Sequence, residues 1–585
     1  MRRGLVSRTV LACALAAAGL GSAQTVDLLL SKKLIATGWD KPDQLGLKEQ
    51  VRVMETQPFD GIMITVTGKR DDGKPCLLRG THSAEPWQRA WFEAAIADLK
   101  SVRFERFTDN FITIGANPGN VDWFDEAGWA AVIEHWATAA WIAKQAGFKG
   151  FLFDPEAYTK PYSQFDYAAQ PQTSQHSFNE YYAKARERGR QVIAAVAKEF
   201  PEAVVYCYFM NSINAPAAGH ADPRPVLAGM GYGLFPAFID GWLDAAPPAM
   251  TFVDGCENAY LFNQDMQYVR AALNIKGACQ ELVSPENRAK YRAQVQVSYG
   301  IYLDAYWNEP PSTWRLQCDG IPPVRKLFEN VRAALQACDG YTWVYGERFR
   351  WWPTPNGGVQ PQSWPEALPG CAEALRLARD PGRFAADQVE RLRLAGTLVN
   401  LARNGDFQSE RVPDSASSPA ADWKTGGAPA GWSTWQTAAD KGVFSWDRET
   451  GAAAVGSAKA VGVAGSGCFI QKYEAKPGDT FLVRAKVKLA GNSNAHLRLR
   501  WQTDKGLWTR DNEDVLAAPG AAGPESWRSI EAVAMVPPEV GALVLLLGMA
   551  TQRSPEDAFW FDEVEVFKLA GDDLFTAPPQ RFAKP

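Results

Sequence analysis

Gly147-Phe148-Lys149-Gly150-Phe151-Leu152-Phe153-Asp154-Pro155-Glu156-Ala157-Tyr158 is an apolar run that stops abruptly in two acids and a tyrosine. Such a run has the length and texture of a strand buried on both faces of a parallel sheet. A strand period of two places Asp154 and Glu156 on one face. Pro155 lacks a backbone donor, so the ladder ends between them and both carboxylates sit at the strand's C-terminal mouth. Barrel enzymes build their active sites at that end. An Asp-Pro turn that merely solvates its loop is the plainer alternative. It fits less well, because carboxylates seldom gather where strands converge unless chemistry uses them.

Outward from this stretch, apolar β-rich runs alternate with amphipathic segments about eight times. The spacing predicts strands at 33–38, 59–66, 104–114, the opening stretch, 203–210, 250–253, 295–303 and 341–345. Helical patterns fall between them, at 43–57, around Trp91 to Leu99, and at 124–146, 177–200, 234–246, 264–273, 285–294 and 324–337. Crossovers of that length return the chain parallel, which predicts an α/β fold with a (β/α)8 TIM barrel; a doubly wound open sheet is the alternative. Trp39-Asp40, Asp154/Glu156, Asn211, Asp254/Glu257, Asp304 and Glu347 all fall just past strand ends. A closed barrel gathers these at one mouth, whereas an open sheet spreads them along an edge.

A chain of 585 residues needs more than one core. Arg2, Arg3 and Arg8 precede the apolar run Val10 to Leu20 and the small residues Gly21-Ser22-Ala23, the pattern of a secretory signal cleaved near Ala23. The expected order is signal peptide 1–23, catalytic barrel 24–355, linker and short helices 356–398, all-β sandwich 399–570 and a loose Pro-rich tail within 571–585. The short helical patterns at 373–379 and 385–394 are expected to brace the barrel or the hinge. Past residue 400 the texture turns Gly/Ala/Ser-rich, with short alternating strands at 468–473, 480–489, 496–501, 528–534, 542–549 and 559–567, as in an antiparallel sandwich.

The net charge of −5 falls to about −8 once the leader and its three arginines are gone, which disfavours nucleic acid or an anionic membrane as partner. Apart from the leader, no stretch approaches the roughly 18 apolar residues of a membrane span. Five histidines with no ligand spacing argue against a zinc site, and no metal-binding residue is expected. Eight cysteines remain after the leader, with Cys256/Cys279 and Cys318/Cys338 as local disulfide candidates. The 22 tryptophans suit flat apolar faces such as sugar rings, so the expected partner is a polysaccharide or oligosaccharide.

The barrel resembles the glycoside hydrolase superfamily. Asp154-Pro155-Glu156 is similar to the D-x-E ending of strand four in chitinase-like and hexosaminidase-like enzymes, which implies Glu156 as the acid and Asp154 as a substrate-orienting group. The fuller D-x-x-D-x-D-x-E pattern is absent. Trp343-Val344-Tyr345-Gly346-Glu347, with Trp351-Trp352 behind it, resembles the end of strand eight in many such barrels, where tryptophans face the sugar. The second unit resembles the jelly-roll carbohydrate-binding modules of secreted polysaccharide-degrading enzymes, on Asn404-Gly405-Asp406-Phe407, Gly431-Trp432-Ser433, Pro477-Gly478-Asp479 and Trp560-Phe561-Asp562. That resemblance admits a structural calcium near Asp406 and Asp562, and no other cofactor is implied.

Glycosidic cleavage needs a protonated acid at the leaving oxygen and a second carboxylate across the ring. Glu156 is the expected acid/base with Asp154 beside it. Glu347, then Asp304 and Glu257, are candidates for the second carboxylate. Trp39, Asp40, Tyr158, Asn211, Tyr299, Tyr302, Trp343 and Trp351 are the expected substrate-binding residues, and Trp432, Trp435, Trp501 and Trp508 the platform candidates in the sandwich. The expected function is a secreted glycoside hydrolase with a carbohydrate-binding module; a non-catalytic glycan-binding scaffold with a degenerate barrel is the alternative.

Overall fold

The computed structural model describes residues 31–582 except 120, 157, 159–162, 356–357, 410–427, 438–441, 510–513, 520–525, 549–550, 555 and 572. The leader at 1–23 lies outside the described residues. Two units divide the rest: residues 31–379 with 578 onward form one, and residues 380–577 the other.

The first unit is built on one parallel sheet. Its strands are β1 (Lys33–Gly38), β2 (Gly61–Ile64), β5 (Phe111–Gly115), β6 (Gly150–Asp154), β7 (Val204–Cys207), β8 (Thr251–Asp254), β9 (Val295–Val297), β10 (Gly300–Tyr302) and β11 (Tyr341–Gly346). A separate antiparallel hairpin, β3 (Thr67–Lys69) with β4 (Pro75–Leu77), follows β2. The nine-stranded order is β10-β11-β1-β2-β5-β6-β7-β8-β9. The strands at its two ends, β9 and β10, are separated in the chain only by Ser298 and Tyr299, so the sheet curls strongly. Phe151, Leu152 and Phe153 are fully buried, as a strand covered on both faces requires. Gly150 is needed in β6, because a Cβ there would lie 2.0 Å from the Val204 carbonyl oxygen.

Helices cover the sheet. Asp125 caps the helix Glu126–Gln145 by accepting from the Gly128 amide, and a Ser177/Glu180 capping box opens Phe178–Glu199. Gly189 lets that helix approach Phe235–Ala245, since a Cβ would meet the Phe238 carbonyl oxygen at 2.0 Å. Between sheet and helices, Trp129, Trp136, Phe153, Phe165 and Phe238 surround the fully buried His82. Trp123, Trp129, Trp136, Trp242, Trp343, Trp364 and Trp501 are all fully buried, so a large share of the tryptophan excess fills cores instead of facing ligands.

Several sequence expectations need correction. The third strand begins at Phe111, not near 104, because Glu55 Oε1 accepts from the Glu105, Arg106 and Phe107 amides and holds them in a turn. The expected strand 295–303 is two short pieces, β9 on β8 and β10 on β11. The eight cysteines among the described residues are all free. The Cys279, Cys318 and Cys338 thiols instead point at the carbonyls of Asn211, Leu316 and Leu335. The tail is not loose through 582: the Gln580 amide donates to Ala367, Trp307 Nε1 donates to Gln580, and Phe582 packs edge-on against Phe349.

The second unit pairs two five-stranded antiparallel sheets. The strands are β12 (Ser433–Gln436), β13 (Val443–Asp447), β14 (Ser457–Val461), β15 (Gly467–Glu474), β16 (Thr480–Ala490), β17 (His496–Thr503), β18 (Val515–Ala517), β19 (Arg528–Met535), β20 (Val540–Gly548) and β21 (Ala558–Ala570). One sheet runs β12-β15-β20-β17-β18 and the other β13-β14-β21-β16-β19. Alternate residues such as Phe469, Leu545, Leu499 and Phe561 fill the space between them. Helix Pro381–Leu394 packs Ala385 and Val389 on Leu482, Phe567 and Leu569 of this unit. Trp432 and Trp501 lie in its core, whereas Trp435 and Trp508 are exposed. No helix among the described residues is long and apolar enough to cross a membrane.

Candidate active site

A cavity of about 820 Å³ opens at the C-terminal ends of the parallel strands. Its acids arrive from three strand ends. Asp154 closes β6, where the ladder pairs it with Gly115 of β5 and its carbonyl accepts from the Ala116 amide at 2.8 Å. Its Oδ1 accepts from the Glu156 amide at 3.0 Å, which folds the next acid back over the same mouth. Asn117, just past β5, clamps the loop: Nδ2 donates to the Glu156 carbonyl at 3.1 Å and Oδ1 accepts from the Tyr158 amide at 3.0 Å. The Tyr158 hydroxyl donates to Glu156 Oε2.

Glu257 follows β8. Buried Asp254 sets that turn, accepting from the amides of Met210 (3.1 Å), Ser212 (2.9 Å) and Cys256 (3.2 Å) and from the Ser212 hydroxyl. Cys256 adopts a left-handed φ of 44°, and Glu257 then opens a 3-10 turn with its amide on the Tyr208 carbonyl at 3.2 Å. Glu347 follows β11. Its amide donates to Asp304 Oδ2 at 2.8 Å, and its Oε2 accepts from the Tyr302 hydroxyl at 3.1 Å.

Electrostatics separate these acids. Burial, with the adjacent Glu156 adding to it, pushes Asp154 up to about 7. Burial and then the charges of Glu156 and Asp154 push Glu257 up to about 8. Burial brings Lys41 down to about 8 against the pull of Asp154 and Asp40. Each protonated carboxyl avoids a desolvated charge beside like charges.

The walls are aromatic. Tyr260 stacks on Tyr302 with centroids 4.9 Å apart and lies nearly parallel to Tyr345 at 6.0 Å. Trp314, 52 % exposed, presents its edge to Tyr302 and Tyr260. Across β11, Trp39 is 46 % exposed and donates from Nε1 to the Tyr345 hydroxyl at 3.1 Å.

Of the expected residues, Asp154, Glu156, Glu257, Glu347, Trp39, Tyr158 and Tyr302 line this cavity. Six do not. Asp304 is buried behind Glu347, and burial raises it to about 6. Asp40 is turned inward to the Trp351 amide at 2.7 Å and raised by burial to about 7. Asn211 is buried with Nδ2 near the Cys279 carbonyl. Tyr299, in the break between β9 and β10, points to the Tyr268 carbonyl at 2.6 Å. Trp343 shares a strand face with Tyr345 but lies one layer deeper, under Tyr208 and bonded to the Gly255 carbonyl at 2.8 Å. Trp351 is buried edge-on against Phe59.

Lys41, Arg79, Asn117, Tyr208, Tyr232, Tyr260, Trp314 and Tyr345 line the cavity without having been expected there. Tyr345 and Tyr208 had a signal, since each stands at the C-terminal end of an apolar strand run. Arg79 had none, because it comes from the irregular segment after the β3/β4 hairpin. Among the described residues, no group of three or more His, Cys, Asp or Glu is disposed to hold a metal. In the sandwich, the Asp562 carboxylate already accepts from the Ala452 and Glu563 amides at 2.7 Å each.

No protein-family model matches the sequence, and no curated protein does. Solved structures match parts of it. The enzymatically active domain of bacteriophage CBA120 tailspike protein 4 is 15% identical over 29% of this chain and 21% of its own, at a TM-score of 0.22. Clostridium thermocellum xylanase Xyn10B, in its CBM22-1 and GH10 modules, is 12% identical over 24% of this chain and 26% of its own, at 0.20. The CBM22-1 xylan-binding domain of Paenibacillus barcinonensis Xyn10C is 14% identical over 25% of this chain and 91% of its own, at 0.20. The chain thus spans about a fifth and about a quarter of the first two.

Proposed function

We propose that the curled parallel sheet closes as a (β/α)8 barrel and that its mouth is the active site of an exported glycoside hydrolase, with the sandwich serving as a carbohydrate-binding module. Closure is supported by the strand piece at each end of the order belonging to one stretch of chain: the Ser298 amide donates to the Asp254 carbonyl at 2.9 Å, and the Trp343 amide to the Tyr299 carbonyl at 3.0 Å. The observation that carries the hydrolase reading is the set of four carboxylates in one open, aromatic-walled cavity, two of them kept protonated near neutral pH. Hydrolysis of a glycosidic bond requires an acid that holds its proton, with a second carboxyl group across the ring.

The role of Glu257 follows from its proton affinity and differs from the sequence expectation, which has Glu156 as the acid. Glu257 holds its proton to about pH 8 and gives it to the leaving glycosidic oxygen. Glu156, oriented by Tyr158 and by the Asn117 clamp on its loop, supplies the second carboxylate, as nucleophile or as base for water. Asp154, neutral below about pH 7, is a hydrogen-bond donor beside it. Glu347, fixed by Tyr302, holds sugar hydroxyls.

The test is release of reducing ends from a panel of soluble glycans. Glu257→Gln and Glu156→Gln should each lower turnover by about 10² to 10⁴ while glycan affinity survives. Unchanged turnover in either variant removes that residue from its role. Glycan binding with no reducing ends from any member of the panel leaves a binding scaffold in place of the enzyme.

A further inference from the structure

If the mouth is that of a hydrolase, its two cations bear on the class of sugar it accepts. Two cations line the cavity beside its four carboxylates. Arg79 is exposed, and among the described residues it makes no hydrogen bond and no ion pair. Lys41 is half-buried. Among the described residues its contacts are the Tyr208 hydroxyl at 3.5 Å and the face of Tyr345, 5.8 Å away, and it forms an ion pair with none of their carboxylates. Both charges nevertheless act on one place, since each counts among the influences on Asp154. They reach it from different sides: Lys41 follows β1, whereas the Arg79 backbone lies against Gly115 of β5.

An arginine presents a planar fork of donors that matches a carboxylate or a sulfate, and a lysine adds a compact charge beside it. An internal structural role would have spent either group on one of the acids nearby. The acids do not cancel the pair outright either, because Asp154 and Glu257 stay neutral up to about pH 7 and 8. We propose that the sugar bound in this mouth carries an anionic substituent, a uronate carboxylate or a sulfate ester, held by Arg79 with Lys41 beside it.

The experiment uses the full-length protein and calorimetric titration with the methyl glycosides of glucuronic, galacturonic and mannuronic acid, their neutral methyl esters, and sodium sulfate as competitor. At least one uronide should bind about tenfold or more tighter than its ester, as a hydrogen bond to a charged group provides. Arg79→Ala, which breaks no hydrogen bond or ion pair among the described residues, should abolish that preference, and Lys41→Met should reduce it. Displacement by sulfate assigns the site to sulfate esters as well as carboxylates, and no displacement assigns it to uronates. Equal binding of acid and ester, or a preference that survives Arg79→Ala, overturns the proposal. Its failure is distinct from that of the hydrolase reading. Reducing ends released from neutral glycans and unaffected by Arg79→Ala would remove the anionic substituent and keep the enzyme. An Arg79-dependent preference in a protein that cleaves nothing would do the reverse.

Discussion

Replacing His82 by phenylalanine tests the aromatic packing between the sheet and its helices. The imidazole is fully buried among Trp129, Trp136, Phe153, Phe165 and Phe238, and lies nearly parallel to Phe153 at 5.6 Å. Its Nε2 accepts from Trp136 Nε1 at 3.3 Å, and its Nδ1 has no hydrogen-bond partner among the described residues. Burial, with neighbouring His135 adding to it, therefore pulls His82 down to about 3. A base whose folded pKa lies below its unfolded value stabilises the fold fully above the unfolded pKa, here 6.5, and loses that contribution as pH falls toward 3. Between pH 7.5 and 5.0 the loss is about 2 kcal/mol, because the unfolded chain binds the proton and the folded one does not. Asp40, Asp154 and Glu257 act in the opposite sense, since their burial cost is relieved as pH falls from about 8 into the ordinary carboxylate range. Total stability is thus a poor readout, and the difference between wild type and variant is the right one. His82→Phe keeps the ring packing and removes the titration. Loss of the Trp136 hydrogen bond adds a pH-independent offset of about 1 kcal/mol. Denaturant titrations at the two pH values should show wild type losing about 2 kcal/mol relative to His82→Phe on acidification. A difference that does not change with pH refutes the buried, neutral imidazole.

Other perturbations probe the frame and the loop. Asn117→Ala removes the two hydrogen bonds that hold the Glu156–Tyr158 loop to β5; it should cost about 1 to 3 kcal/mol in thermal unfolding and lower turnover more than it raises the Michaelis constant. Turnover equal to wild type would deny that clamp a positioning role. Gly189→Ala places a Cβ against the Phe238 carbonyl and should cost about 1 to 3 kcal/mol or more by differential scanning calorimetry. A melting temperature within a degree of wild type would contradict the close helix crossing.

Much of the frame was legible because strands buried on both faces carry uninterrupted apolar runs. Lys33–Gly38 and Gly150–Asp154 could be read directly, and Asp154 and Glu156 at the end of the second marked the cavity, whereas Asp40 past the first turned inward. What failed had local physical causes. Residues 105–107 resemble a strand, yet Glu55 gathers their amides into a turn from fifty residues away. In the sandwich, β12, β13, β14 and β18 were not foreseen; they are short, and partly exposed residues outnumber their buried ones in all but β14. At the site, strand-end position identified the acids but not their depth. Period two puts Trp343 and Tyr345 on one face, and only the layering of the sheet shows Trp343 beneath the floor. Lys41 and Arg79 sit in irregular segments, where side-chain direction has no periodic signature.

Burial among like charges leaves Glu257 holding a proton at neutral pH inside an acid-rich mouth. Difference infrared spectroscopy between wild type and Glu257→Gln, followed from pH 5 to 10, reads that proton directly in the carboxyl C=O band. The account predicts a band present in wild type, absent in the variant and lost with a midpoint of about 8. A Glu257 signal that is already carboxylate at pH 6 would contradict it.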